Sequence, residues 1–289
     1  MTPAETLRVR NRAILLMIGA TLFFSLMDAS AKAVAPRIGV LGGLWARYAG
    51  QMIFVLILVA PRVHLVARTR YPVQQILRSC LLMGATIFYF SALSVLPLNA
   101  AAPLMNTNPV LITLGAALFL GEKLGPRRIA GIAAAMVGAM IIIRPGGEIF
   151  NMSALLPLGA ACCYSGYALL TRRLGPDEDP WTSLFYTGVV GTLVFSLLIP
   201  FHWQTPDLTA WMLIGAITCF GTFGQLLLIR AFSSGEAAML APYAYCGLIF
   251  ATIWGVVLFG ERPDIWTLCG TLVIAGAGLY VWHRETYRS

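Results

Sequence analysis

Leu118-Phe119-Leu120-Gly121-Glu122-Lys123-Leu124 closes one long apolar run, and Leu258-Phe259-Gly260-Glu261-Arg262-Pro263 closes another. A gapless shift of 139 residues places Gly121-Glu122-Lys123 on Gly260-Glu261-Arg262, Pro103 on Pro242, Thr113 on Thr252 and Gly131 on Gly270. A shift of 140 places Phe24 on Tyr164, Ser25 on Ser165, Lys32 on Arg172 and Pro36 on Pro176. The chain therefore reads as two homologous halves.

Each half is built for lipid. Hydrophobic residues make up 58% of the 289 positions and charged residues 11%, against roughly a quarter charged in soluble domains, and the mean hydropathy is +0.79. A bilayer core about 30 Å thick takes about 20 helical residues. Apolar runs between Pro, Gly and charged breaks predict spans near 13–34, 40–60, 75–96, 100–120 and 126–143, then 154–172, 181–200, 209–231, 236–259 and 264–282. The weakest divisions fall at Pro97-Leu98-Asn99 and Ser233-Ser234-Gly235, each of which splits one long apolar stretch at helix-breaking or turn residues. The expected fold is all-α and integral to the membrane, with ten transmembrane helices in two five-helix repeats, 13–143 and 154–283, around a central cavity.

Five is odd, so the second repeat enters the membrane from the opposite side and the repeats are inverted. Lys and Arg counts agree. With the N-terminus inside, cytoplasmic segments hold fifteen of the twenty basic residues, among them Arg8, Arg10, Arg12, Arg62, Arg68, Arg70, Arg78 and Lys123. The other face holds Arg37, Arg144 and Arg262. This bias predicts a cytoplasmic (inner) membrane protein with both termini cytoplasmic. The run from Ala13 is too long for a signal-peptide core and reads as span 1. Inverted repeats give alternating access a structural basis, because two equivalent halves expose one midplane site to each side in turn.

The net charge of +8 comes from short clusters between apolar runs and not from a continuous stripe, which argues against nucleic acid. The six cysteines all lie within spans and form no C-x-x-C pair. His64, His202 and His283 are scattered, and no metal cluster or nucleophile motif appears, so no cofactor, metal or enzymatic activity is expected. The competing readings are a membrane enzyme and a structural membrane protein without transport.

Pro-Leu-Asn-Ala-Ala-Ala-Pro-Leu at 97–104, the doubled Gly-Glu-basic block and the Gly131/Gly270 pair resemble the EamA-type members of the drug/metabolite transporter superfamily. The resemblance covers essentially residues 13–283. It implies a cavity surrounded by spans 1, 3, 4, 6, 8 and 9, with spans 2 and 7 gating and spans 5 and 10 peripheral. It implies transport of small organic solutes, commonly amino acids or related metabolites, often by export or exchange.

Intramembrane charges are functional candidates by default. Asp28 and Lys32 share a helix face at i, i+4, and Arg47 on span 2 reaches a similar depth to Asp28. Two readings compete: Arg47 or Lys32 holds a substrate carboxylate, or the three charges close the outer gate with Lys32 snorkelling to the interface. Tyr89, Asn106 and Asn108, with Tyr164, Tyr167, Gln225, Tyr243, Tyr245 and Trp254, are the candidate polar and aromatic lining. Stacking and cation–π contacts favour an organic solute with rings or substituted ammonium groups, and with what the resemblance implies the expected substrate is an amino acid or a related zwitterion or amine. Glu122 and Glu261 read as turn ties. Gly131, Ala135 and Gly138 on span 5, with Gly270, Gly276 and Gly278 on span 10, predict close helix contact, within the chain or in a homodimer. The expected partners are the small-molecule substrate and the lipid bilayer.

Overall fold

A computed structural model describes residues 3–108, 110–112, 114–115, 126–143, 152–174, 178–234, 240 and 243–286. Among these there is helix and turn but no strand. The main helices are α1 (Pro3–Val59), α2 (Pro72–Val95), α3 (Leu98–Met105), α4 (Pro126–Ile143), α5 (Leu155–Leu174), α6 (Pro180–Leu198), α7 (Leu208–Ser234), α8 (Cys246–Phe259) and α9 (Ile265–Thr286). Five apolar helical stretches are long enough to cross a membrane: Asn11–Val66, Pro72–Val95, Met152–Thr171, Pro180–Phe201 and Leu208–Ala231. The outward surface is apolar, with Leu197, Val257 and Leu272 among its large exposed side chains.

Breaks follow backbone chemistry. Spans 1 and 2 run together in α1 and change direction at Gly39, whose φ of 71° belongs to the left-handed region that favours glycine. Pro36 sits inside the helix. The division at Pro97 is observed: α2 stops at Val95, and Pro97 adopts φ −59°, ψ 144° before α3. α3 gives way to a turn at Asn106-Thr107. The second half interrupts at the aligned position, with a turn at Tyr245 immediately before α8. Pro109, Glu122, Lys123, Gly235 and Pro242 lie outside the described residues.

α1 packs against α7, α6 and α8; α2 packs against α5 and α6; α3 packs on α8; and α4 packs on α9. The α4–α9 contact uses the small residues anticipated there. A Cβ on Gly270 would lie 2.5 Å from the Ile142 side chain and 2.7 Å from the Gly138 carbonyl, and a Cβ on Gly138 would lie 3.0 Å from the Gly270 carbonyl. These two glycines thus serve a contact inside one chain. Ala135 is buried with Val110 and Ala277, and Gly278 abuts the Tyr245 hydroxyl. The alternative of a homodimer through this face gains no support: Gly138, Gly270 and Gly278 are occupied within the chain, while a Cβ on Gly276 would meet nothing within 4 Å.

Candidate functional site

Polar side chains converge midway along the bundle, where α1, α2, α5, α7 and α8 approach one another. The Asp28 carboxylate accepts a hydrogen bond from Tyr89 on α2 and is attracted by Arg47 without a direct ion pair. Arg47 is 7% exposed, its Nη1 donates to the Met27 sulfur, and its guanidinium lies 5.9 Å from the Tyr48 ring. Its Nε has no partner, and neither does the buried Thr222 hydroxyl on α7. Gly221 keeps α7 narrow beside Arg47: a Cβ there would be 3.7 Å from Nη1. A buried cation held by a thioether retains donor capacity for an anionic oxygen.

Aromatic groups border this centre. Tyr164 and Tyr167 stand one turn apart on α5 with ring centroids 5.5 Å apart. The Tyr167 hydroxyl accepts from Gln225 Nε2 at 3.0 Å, and Trp254 Nε1 donates to Ser25 Oγ at 3.0 Å. Asp28, Tyr164 and Trp254 are only half-buried despite their central position.

Lys32 does not neutralise Asp28, contrary to the i, i+4 expectation. Its Nζ pairs with Glu261 Oε1 at 3.1 Å and donates to the Leu96 carbonyl at 2.6 Å. Glu261 Oε2 in turn accepts from the Leu98 amide at 2.8 Å and the Asn99 amide at 3.4 Å, at the start of α3. Gly260 takes the left-handed conformation, φ 65°, that ends α8 and turns Glu261 inward. The turn-tie reading of Glu261 is thus right but incomplete, because the residue also latches α1 to the α2–α3 junction. Arg37 pairs with Asp207 at the same end.

The opposite end of α2 holds a residue whose surroundings charge counting does not show. Arg78, assigned from sequence to a cytoplasmic segment, is 1% exposed within the bundle. It donates to Thr171 Oγ1 at 2.6 Å, Tyr167 OH at 2.8 Å, the Ser183 carbonyl at 3.1 Å and Thr187 Oγ1 at 3.4 Å. Gln75, one turn before it, bonds Glu178 and Ser183 at 3.2 Å each. The acceptors come from α5 and α6, so only the tertiary fold shows that Arg78 has a polar home. Thr222 was likewise missed, since a threonine in a span carries no distinctive pattern.

Other candidates stand apart from the centre. Asn106 Nδ2 bonds its own helix at the Ala102 carbonyl, 2.9 Å away, and the Asn108 carbonyl accepts from Ser165 at 3.1 Å. Tyr243 packs on the cluster of Ala13, Met17 and Leu228. Tyr245 turns toward Gly278 on α9, with its buried hydroxyl unpartnered. A cleft of about 340 Å³ at the rim, lined by Arg62, Asp179, Trp181 and Arg230, includes none of the nominated residues.

Five apolar helical stretches of membrane-crossing length, with ionisable groups between them, define a multi-pass membrane protein. The profile of the EamA-like transporter family matches residues 11–144 and 151–282, and the chain belongs to that family. The family is one of transporters, not enzymes. The chain is similar to the pseudopaline exporter CntI of Pseudomonas aeruginosa, 30% identical over 91% of this chain and 93% of that one. It is similar to a riboflavin transporter of Rhizobium johnstonii, 31% identical over 76% and 74%. It also resembles an S-adenosylmethionine uptake transporter of Rickettsia bellii, 28% identical over 75% of each. A solved crystal structure superposes with a TM-score of 0.68 at 19% identity, covering 95% of this chain and 98% of the other, a likeness of fold.

Proposed function

We propose that this chain is a secondary transporter that moves a small organic metabolite across the cytoplasmic membrane by alternating access between inverted repeats 13–143 and 154–283, with both termini cytoplasmic. The observation that carries the reading is Arg47: a buried guanidinium with an unpartnered Nε, midway through the bundle and beside Asp28, Tyr89, Tyr164 and Tyr167. Arg47 holds an acidic group of the solute, Asp28 with Tyr89 receives an amine or a proton, and the tyrosines and Trp254 face its organic body. Amino acids and related zwitterions fit this pairing. The relatives named above carry riboflavin, pseudopaline and S-adenosylmethionine in their names, so chemistry beyond plain amino acids belongs in any screen. Their names include both uptake and export.

The packing pattern supports the inverted repeat. Exchanging each span with the one five places later maps the α1–α7 contact onto α2–α5 and the α3–α8 and α4–α9 contacts onto themselves. The latch at Lys32–Glu261 then closes one face while the other admits solute. A thermal-shift screen of purified protein against amino acids, nucleosides, vitamins and quaternary amines tests the binding claim, because a ligand stabilises by mass action. Stabilisation by a class of solute that Arg47→Gln abolishes is the expected result. Labelling positions 123 and 262 from the same face of intact cells contradicts the inverted topology.

A further inference from the structure

Arg78 is bonded only to neutral acceptors: three hydroxyls and one backbone carbonyl. Among the described residues the ion pairs are Lys32–Glu261 and Arg37–Asp207, and neither includes it. Two described acids stand at its end of the bundle: Glu178 is engaged by Gln75 and the Arg70 amide, and Asp179 accepts from the Trp181 amide. Hydroxyls solvate a guanidinium without cancelling its charge, and a cation left uncompensated in a low-dielectric interior is costly. Such a charge inside a membrane bundle marks a site that meets an anion.

Its neighbours connect it to the centre. The Tyr167 hydroxyl that accepts from Arg78 also accepts from Gln225. The Arg78 guanidinium also lies 4.6 Å from the Tyr167 ring centroid, and the Tyr167 ring is 5.5 Å from that of Tyr164, whose surroundings carry the field of both Arg47 and Arg78. Around the Tyr164–Tyr167 pair two guanidiniums face one carboxylate, Asp28; the Lys32–Glu261 pair neutralises itself, and half-buried Glu178 stands toward the end of the bundle behind Gln75. Protonation of Asp28 would raise the excess of positive charge there.

We infer that Arg78 is a second cationic anchor of the transport site and that the metabolite carried is a net organic anion, with at least one more acidic group than amines. The inference rests on the transporter reading above. Carboxylate or phosphate oxygens replace Thr187 first, whose 3.4 Å contact is the longest in the cage, and then Tyr167.

The test uses proteoliposomes at zero membrane potential, loaded from a defined mixture of metabolite standards sorted at pH 7 into net-negative, neutral and net-positive classes, with internal contents read by mass spectrometry. Wild-type vesicles are expected to accumulate members of the net-negative class at least tenfold over empty liposomes. Arg78→Gln is expected to lose at least tenfold of that, with Arg78→Lys intermediate. Accumulation confined to neutral or cationic compounds, or anion uptake by Arg78→Gln equal to wild type, overturns the inference and leaves transport standing. Accumulation of nothing overturns transport itself. If Arg78→Gln fails to elute as a folded protein, the wild-type charge preference alone decides.

Discussion

Replacing Glu261 with Gln should open the face of the bundle that Lys32 closes. At 3.1 Å the Lys32–Glu261 attraction is about 5 kcal/mol at an effective dielectric of about 20. Their side chains are 18% and 12% exposed, so solvent screens the pair only modestly. Glutamine keeps the acceptor for the Leu98 amide, and Lys32 keeps the Leu96 carbonyl, which offsets part of the loss. A net cost of roughly 2–4 kcal/mol to the closed arrangement remains, or about 30- to 1000-fold in the closed-to-open ratio. Ser25 lies seven residues from Lys32 along α1, about 10 Å deeper. On a cysteine-free background, Ser25→Cys should react with a membrane-impermeant maleimide from the Lys32 face at least tenfold faster when Glu261→Gln is added. Removing both charges with Lys32→Met and Glu261→Met should return the rate most of the way, because no unpaired ion is then left behind. Equal labelling in the presence and absence of Glu261→Gln would refute the latch.

Three further outcomes follow from packing. Tyr245→Phe deletes a buried hydroxyl that has no partner and should leave stability unchanged or raise it by up to about 1 kcal/mol, read as an equal or higher Tm in detergent. Gly270→Val inserts atoms where even a Cβ meets the Gly138 carbonyl at 2.7 Å, and should cost about 1–3 kcal/mol or more, read as a lower Tm. Trp254→Phe removes the bond to Ser25 and should cost about 0.5–1.5 kcal/mol; a double cycle with Ser25→Ala checks that the loss comes from this bond.

Local chemistry explains what could be read from the sequence. Proline at 97 cannot donate a helical hydrogen bond and disfavours helix in the residue before it, and its division matches the end of α2; the division at 233–235 falls at the edge of the described residues. The α4–α9 glycines announced a close crossing because only hydrogen lets two backbones meet at that distance. Tertiary partners were less visible. Lys32 has an acid one turn away at Asp28, but its long stem reaches an acid 229 residues later, at a helix end that Gly260 redirects. Arg78 sits early in its helix among other arginines, which in sequence looks like an interfacial cluster; only the convergence of Tyr167, Thr171, Ser183 and Thr187 makes a buried home for it. Asp28, Arg47, Tyr89, Tyr164, Tyr167, Gln225 and Trp254 are nominated from charge, polarity and depth on the spans that the family resemblance places around a cavity, and they lie on α1, α2, α5, α7 and α8. Asn106, Tyr243 and Tyr245 share that polarity, but helix rotation turns them to other partners, and rotation is poorly fixed in spans that are apolar on every side.

Solute counterflow in proteoliposomes tests the central claim most directly, once the screen has supplied a stabilising solute. Vesicles preloaded with that solute should draw in its labelled form with wild-type protein and fail to do so with Arg47→Gln of normal elution and Tm. Label entry at the wild-type rate through Arg47→Gln, or wild-type entry no faster than through protein-free vesicles, would contradict a carrier whose site is built on Arg47.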